Sequence, residues 1–210
     1  MPVHVVNHPL IIHKLAILRE KSTSTKKFRE MVSEITLLLT YEATRNLPMV
    51  ETTIETPICS MKTQMLQDDT IVATPILRAG LGMLQGILSI YPPARVAHIG
   101  LRRDEETKQP ITYYYNYPEN LVGETILVID PMLATAGSLC AAIDLLKKSK
   151  PREIIAICLI AAPEGVAAIE KRHPDVAVYV GALDTHLNEH AYIVPGLGDA
   201  GDRMFGTVKG

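Results

Sequence analysis

Residues 128–138, VIDPMLATAGS, set one carboxylate, Asp130, at the end of an apolar run and follow it with small and hydroxylated residues. Ala134, Thr135, Ala136, Gly137 and Ser138 are small enough for the backbone to curl around an anion. A helix beginning there offers unpaired N–H groups and the positive end of its dipole. Thr135 and Ser138 add hydroxyl donors. Such a cup suits a phosphate monoester held by neutral donors, and an acceptor-only carboxylate at its lip suits the hydroxyls of a sugar. Phosphate and diol in one loop imply a ribose 5-phosphate. The plain alternative is an Asp and a Ser capping an ordinary helix.

Two other apolar runs end in arginine. TPILRAGLG places Arg78 ahead of Gly80 and Gly82, and HIGLRRDEET places Arg102 and Arg103 alike. A guanidinium and loop N–H groups can converge on a second, doubly charged anion, for which a pyrophosphate fits. A lone strand-end arginine is otherwise a solvated charge. The C-terminal YIVPGLGDAGDR brings glycines and Asp199 and Asp202 together. Close-approaching backbone there can read the edge of a flat heterocycle, and a tight turn explains the glycines nearly as well.

Several attractive spellings lead nowhere. GLGDAG (196–201) has the dinucleotide glycine pattern but only nine residues after it, no βαβ unit and no acid about twenty residues on. GDRMFGT lacks the lysine of a phosphate loop, and HLNEH (186–190) carries Asn188 where a zinc-protease helix is needed, so surface histidines are expected. Cys59, Cys140 and Cys158 show no paired spacing and lie among apolar residues, as buried free thiols do. A net charge of −2 without a dense basic run gives no support to nucleic-acid binding. The first twenty residues lack a signal-peptide pattern and no apolar run nears the ~18 residues of a membrane span, so the expected location is cytoplasmic.

These groups need a scaffold. Apolar spacing predicts helices over 9–20 and about 26–45, and 50–66 reads as a short antiparallel pair outside the main sheet. From residue 70 onward, apolar strands alternate with helices of about a dozen residues. The fold class expected is α/β: a mostly parallel central sheet with helices on both faces, N-terminal helices and a small β-rich hood, all in one domain over 1–210. Ligands of such sheets bind beyond the carboxyl ends of the strands. The polar, tyrosine-bearing stretch 104–122 reads equally as a lid or a plain β-hairpin.

VIDPMLATAGS resembles the phosphoribosyl-pyrophosphate (PRPP) loop of type I phosphoribosyltransferases, in the form of the uracil phosphoribosyltransferase branch; PILRAGLGM and YIVPGLGDAGDRMFGT resemble that branch's pyrophosphate loop and uracil site. The resemblance runs through the whole chain. Asp130 followed by Pro131, where most type I relatives have two acids, is the uracil-branch form. The branch commonly reads A-T-G-G-S where this chain has Ala136; if that position needs φ > 0, alanine costs on the order of 1 kcal/mol.

The resemblance implies transfer of ribose 5-phosphate from PRPP to uracil. It makes Arg78, Arg103, Asp130 and Asp199 the catalytic set. Arg78 and Arg103 would hold pyrophosphate, Asp130 the ribose hydroxyls, and Pro131, Met132, Leu133, Ala134, Thr135, Ala136, Gly137 and Ser138 the 5-phosphate. Ile193, Gly198 and Ala200 would bind uracil largely through main-chain atoms, with Asp199, counted with both substrates, close to the ribosyl donor or its Mg²⁺. Mg²⁺ would arrive with PRPP rather than on protein ligands. A GTP effector and a homo-oligomer, dimer or tetramer, go with the same resemblance. The alternatives are a phosphoribosyltransferase for another base and an RNA-binding regulator on the same fold.

Overall fold

In the computed structural model, residues 3–67, 71–103, 110–117 and 121–207 are described. The chain runs β1 (Val3–Val5), α1 (Pro9–Arg19), α2 (Thr25–Ala43), β2 (Met49–Glu55), β3 (Ser60–Leu66), β4 (Ile71–Leu77) and α3 (Leu81–Ile90). It continues with β5 (Arg95–Val96), β6 (His98–Arg103), β7 (Pro110–Asn116), β8 (Thr125–Ile129), β9 (Met132–Leu133), α4 (Gly137–Lys147) and β10 (Glu153–Ala161). Last come α5 (Pro163–Arg172), β11 (Ala177–Leu183), β12 (His186–Leu187), β13 (Ile193–Val194) and α6 (Ala200–Phe205).

The main sheet has the order β1-β11-β10-β8-β4-β6-β7, with β5 beside β4 and β9 beside β10. Every pairing is parallel except β6 with β7. The central strands are covered on both faces, and their sequences are accordingly apolar without alternation. Which face each residue joins follows the period of two. Ile71, Ala73, Leu127, Ile129, Ile155 and Ile157 pack with α1, α2 and α3, whereas Val72, Ile126, Val128, Ile154, Ala156 and Cys158 pack with α4 and α5.

α2 shows why the early chain is helical. Phe28, Met31, Val32, Ile35, Leu39 and Ala43 make one buried stripe at helical spacing, and the Ser24 hydroxyl caps the start by accepting from Lys27 N at 3.3 Å. Its two buried threonines are satisfied locally: Thr36 and Thr40 each donate to the carbonyl four residues back at 2.7 Å. Burying each large side chain of that stripe stabilises the fold by about 1.5–3 kcal/mol.

The antiparallel pair expected at 50–66 is β2 and β3, a hairpin in its own two-stranded sheet that starts one residue earlier. Cys59 corrects the sequence reading: it lies in that hairpin's turn, exposed, while Cys140 and Cys158 are buried. The turn is organised by Thr56, whose hydroxyl accepts from Cys59 N at 3.0 Å, leaving the thiol outside the core. In the 104–122 stretch, 110–116 forms the strand β7 antiparallel to β6, with a register shift between Gly100 and Leu101. Residues 104–109 and 118–120, on which the lid expectation mainly falls, lie outside the described residues. Among the described residues no helix is long and apolar enough to cross a membrane.

Candidate active site

Because β4, β6 and β8 are parallel neighbours, Arg78, Arg103 and Asp130, which sit at their carboxyl ends, share one edge of the sheet. The cup follows directly. After Asp130 the chain makes the two-residue strand β9 against β10, turns at Ala134 and Thr135, and enters α4 at Gly137. Pro131 and Leu133 are held from behind, their carbonyls accepting from Leu159 N at 3.0 Å and Ala162 N at 2.9 Å. Residues 130 and 132–139 enclose a hollow of about 120 Å³.

The helix-capping alternative fails in a specific way. The N-cap of α4 is Ala136, with no side-chain cap. The first N–H groups of α4 are therefore left to a ligand in the hollow, and the Thr135 and Ser138 side chains stand exposed at its rim. Ala136 has φ 63° and ψ 2°, so the condition attached to the branch difference is met and the alanine carries left-handed strain. Its methyl is packed away, 5% exposed, against the α4 face of the core.

Asp130 retains some surface towards the hollow, yet protein packs closely round its carboxyl. Burial pushes that carboxyl up to about 7, opposed by the N–H of Met132, which donates to it. A group poised so close to neutrality binds a hydroxyl donor best when ionised, and such binding favours the ionised form.

The Arg78 loop is pressed against the same strand ends. A Cβ at Gly80 would stand 2.6 Å from the Ile129 carbonyl and 2.7 Å from Ile76 N and O, so only glycine lets this turn close. The Arg78 side chain is exposed at the sheet edge, and the Leu77–Arg78 peptide is cis. The loop also touches the C-terminal segment: Gly82 faces the Met204 side chain of α6, and Gly201 lies beside Ala79. Arg103 closes β6 opposite Pro110.

The third wall is the segment 190–200. Met132, Ala134, Thr135, Gly137 and Ser138 line a cleft of about 420 Å³ together with His190, Ala191, Tyr192, Ile193 and Asp199. The structure thus brings the cup, Ile193 and Asp199 into one space. Arg78, Gly198 and Ala200 do not line it: Gly198 is exposed in the loop at φ 79°, and Ala200 is buried as the first residue of α6. Asp199 is the N-cap of α6, its Oδ1 accepting from Asp202 N at 2.8 Å, so that segment ends in a helix where only a glycine-rich turn was expected.

HLNEH is a strand and turn. His186 lies in β12, and the Asn188 side chain closes the turn by accepting from His190 N at 3.0 Å and Tyr192 N at 2.9 Å. No helical face carries both histidines. His190 nevertheless lines the cleft, which its sequence setting did not suggest. Ala191 beside it has φ 61°, so left-handed alanines stand on both sides of the site.

Two supports escaped the sequence reading. Gly165 of α5 lies beneath the cup, where a Cβ would stand 2.3 Å from the Ala134 carbonyl and 2.8 Å from that of Leu133. Arg19 of α1 makes a bidentate pair with the buried Asp184, at 2.5 and 2.7 Å, and donates to the Gly196 carbonyl at 2.6 Å. Neither has a local signal: one is a glycine in a helix, the other an arginine 165 residues from its partner.

A parallel sheet carrying a strand-end acid, a phosphate-sized cup and a facing loop defines a protein of the type I phosphoribosyltransferase fold. Solved structures of hypoxanthine phosphoribosyltransferases share that fold with this chain: one from Trypanosoma cruzi, 13% identical, aligns with TM-score 0.51 over 78% of this chain and 77% of its own. The chain belongs to the uracil phosphoribosyltransferase family, whose model matches residues 5–207. A uracil phosphoribosyltransferase of Symbiobacterium thermophilum is 57% identical over 205 residues, 98% of each chain. One of Clostridium perfringens is 55% identical over 96% of this chain and 97% of its own. A solved structure of an Aquifex aeolicus protein, 40% identical, aligns with TM-score 0.93 over 97% of this chain and 98% of its own.

Proposed function

We propose that this chain, as one domain over 1–210, transfers the ribose 5-phosphate of PRPP to N1 of uracil, giving UMP and diphosphate. The observation that carries the reading is the shared cleft: the uncapped start of α4 and the loop bearing Ile193 and Asp199 face one space. The cup of residues 131–138 takes the 5-phosphate, and Asp130 accepts from the ribose hydroxyls. Arg78 and Arg103 take the diphosphate. Ile193, Gly198 and Ala200 present main-chain atoms to uracil, with Asp199 between base and donor.

In the reaction the C1–O bond to diphosphate breaks, the N1–C1 bond forms, and the N1 proton leaves to solvent. The sugar carries oxocarbenium character between these events. No covalent nucleophile is required, so rate comes from alignment of base and sugar and from cations placed where charge grows on the leaving group. A magnesium ion carried by the diphosphate would spread that charge. Asp130 at the small hollow and Asp199 at the cleft are the acids that would face such a complex.

The exposed apolar side chains of the β2–β3 hairpin, Met49, Val50, Ile58, Met61 and Met65, support assembly of the chain as a homo-oligomer. GTP activation rests on the resemblance alone. A cytoplasmic enzyme is the reading that goes with a donor too highly charged to cross a bilayer unaided. Incubation with uracil, PRPP and Mg²⁺ tests the activity: UMP is the expected product, and no UMP sinks the reading. Competition among bases in that assay decides against a relative acting on another base, and salt-dependent retention on RNA would point to the regulator instead.

A further inference from the structure

The loop proposed to read the base is held by a device outside the cleft. Both carbonyls at its tip are taken by guanidinium groups: Arg19 donates to Gly196 O at 2.6 Å, and Arg203 donates to Leu197 O at 2.7 Å. The Gly196 N–H is taken as well, donating to Asp184 Oδ2 at 3.0 Å. Asp184, 8% exposed, is itself gripped by both arms of Arg19, so one acid joins the end of β11, the end of α1 and the loop.

Arg203 repeats the pattern from α6. Its other arm donates to the Glu20 carbonyl at the end of α1 at 2.6 Å, and its guanidinium lies 4.6 Å above the Phe28 ring. The planar fork of arginine, fixed at both arms, holds a backbone in place more strictly than a lysine could. Gly196 and Gly198 both have positive φ, so the backbone between them is intrinsically free and must be restrained from outside. The N–H groups of Gly198 and Ala200 have no partner among the described residues.

We propose that Arg19, Asp184 and Arg203 are positioning residues that set the main-chain register of residues 195–200, and through it the affinity and selectivity for the base. This rests on the reading that those main-chain atoms bind uracil. A main chain offers few atoms for recognition, and a small displacement of the loop misplaces all of them together. The 5-phosphate cup hangs on β10 and α5 and shares none of these bonds, and Asp199 keeps its own cap bond from Asp202 N, so loosening the tip at 196–197 leaves the grip on the 5-phosphate in place.

Three variants test it: Arg19→Gln, Arg19→Lys, and Arg203→Met, which keeps an apolar stem over Phe28. Arg19→Gln leaves the buried Asp184 without its cation and is the one at risk of failing to fold. Arg19→Lys keeps that charge but cannot reach both partners, and Arg203→Met strands no buried charge. Expected is a rise in the KM for uracil of tenfold or more and a narrowed preference for uracil over cytosine, with the KM for PRPP within threefold of wild type. Folded variants with unchanged uracil KM and base preference overturn the proposal, and so does an equal rise in both KM values, the mark of general loosening. Absence of UMP with the wild-type protein would strike the activity instead. The clamp is then judged by amide exchange over 195–200, where equal rates in wild type and Arg203→Met overturn it.

Discussion

Replacing Asp130 by Asn should stabilise the ligand-free protein while removing its activity. The carboxyl titrates near 7 in the fold against an ordinary value of 3.8, because burial penalises its charge. A folded value above the unfolded one means that the neutral form suits the fold: the favourable contribution is complete below 3.8 and is lost as pH rises through 7. At about 1.36 kcal/mol for each pH unit between those limits, the buried acid costs roughly 2 kcal/mol at pH 5, where folding must protonate it, and roughly 4 kcal/mol by pH 8. Asn has the same shape, accepts from Met132 N, and bears no charge. The variant's advantage in urea unfolding should therefore grow by roughly 2–3 kcal/mol from pH 5 to pH 8. Comparing variant with wild type at each pH cancels every other titrating group. An advantage that stays constant across this range, or a variant less stable at pH 8, would refute the account of Asp130 as a desolvated acid kept for its ligand.

The remaining predictions concern the cup and its arginine. Ala136→Gly relieves about 1 kcal/mol of left-handed strain and forfeits about as much in a buried methyl and in chain entropy, so its melting temperature should match wild type within a few degrees. Ala136→Val adds a β-branched side chain to the same backbone and should lower stability by about 2 kcal/mol or more in the same melt, with weaker PRPP binding. Gly165→Ala drives a methyl into the carbonyls beneath the cup, and calorimetric titration should show PRPP bound at least ~10-fold more weakly by a protein that still folds. If Arg103 holds the diphosphate as proposed, Arg103→Ala removes a charge-assisted contact of roughly 1.5–3 kcal/mol; steady-state kinetics should give a higher KM for PRPP and slower turnover, and unchanged kinetics would take Arg103 out of the site.

The loop proposed to hold the donor was readable as a structural unit because it is local. Asp130, the small residues and the helix start lie within nine positions, and the apolar strand before them announces where they sit. The two leading helices and the hairpin were likewise plain from spacing, expected over 9–20, about 26–45 and 50–66 and found over 9–19, 25–43 and 49–66. The segment proposed to bind the base was named from the resemblance, but its supports were not readable. The short strand 3–5 has too few residues to show a period, and it is a strand only because β11 supplies its partner. The six-residue helix α6 hid among glycines whose chief signal is a turn. Cys59 looked like core because its neighbours are apolar, but the β2–β3 hairpin stands away from the sheet and exposes them. Arg19 and Asp184 belong to a pair whose meaning exists only once α1 lies against the end of β11.

That pairing gives the two halves of the cleft different contact orders. The cup closes through residues near in sequence together with the adjacent strand β10, whereas the opposite wall needs α1 to meet a segment 177 residues away. Long loop closures are the slower steps in assembling a domain. During synthesis the donor pocket can take shape while the chain is still emerging. The facing wall waits for the last two dozen residues, and on the proposed function a chain cut short there would keep the cup for the 5-phosphate and lose the main-chain atoms that choose a base.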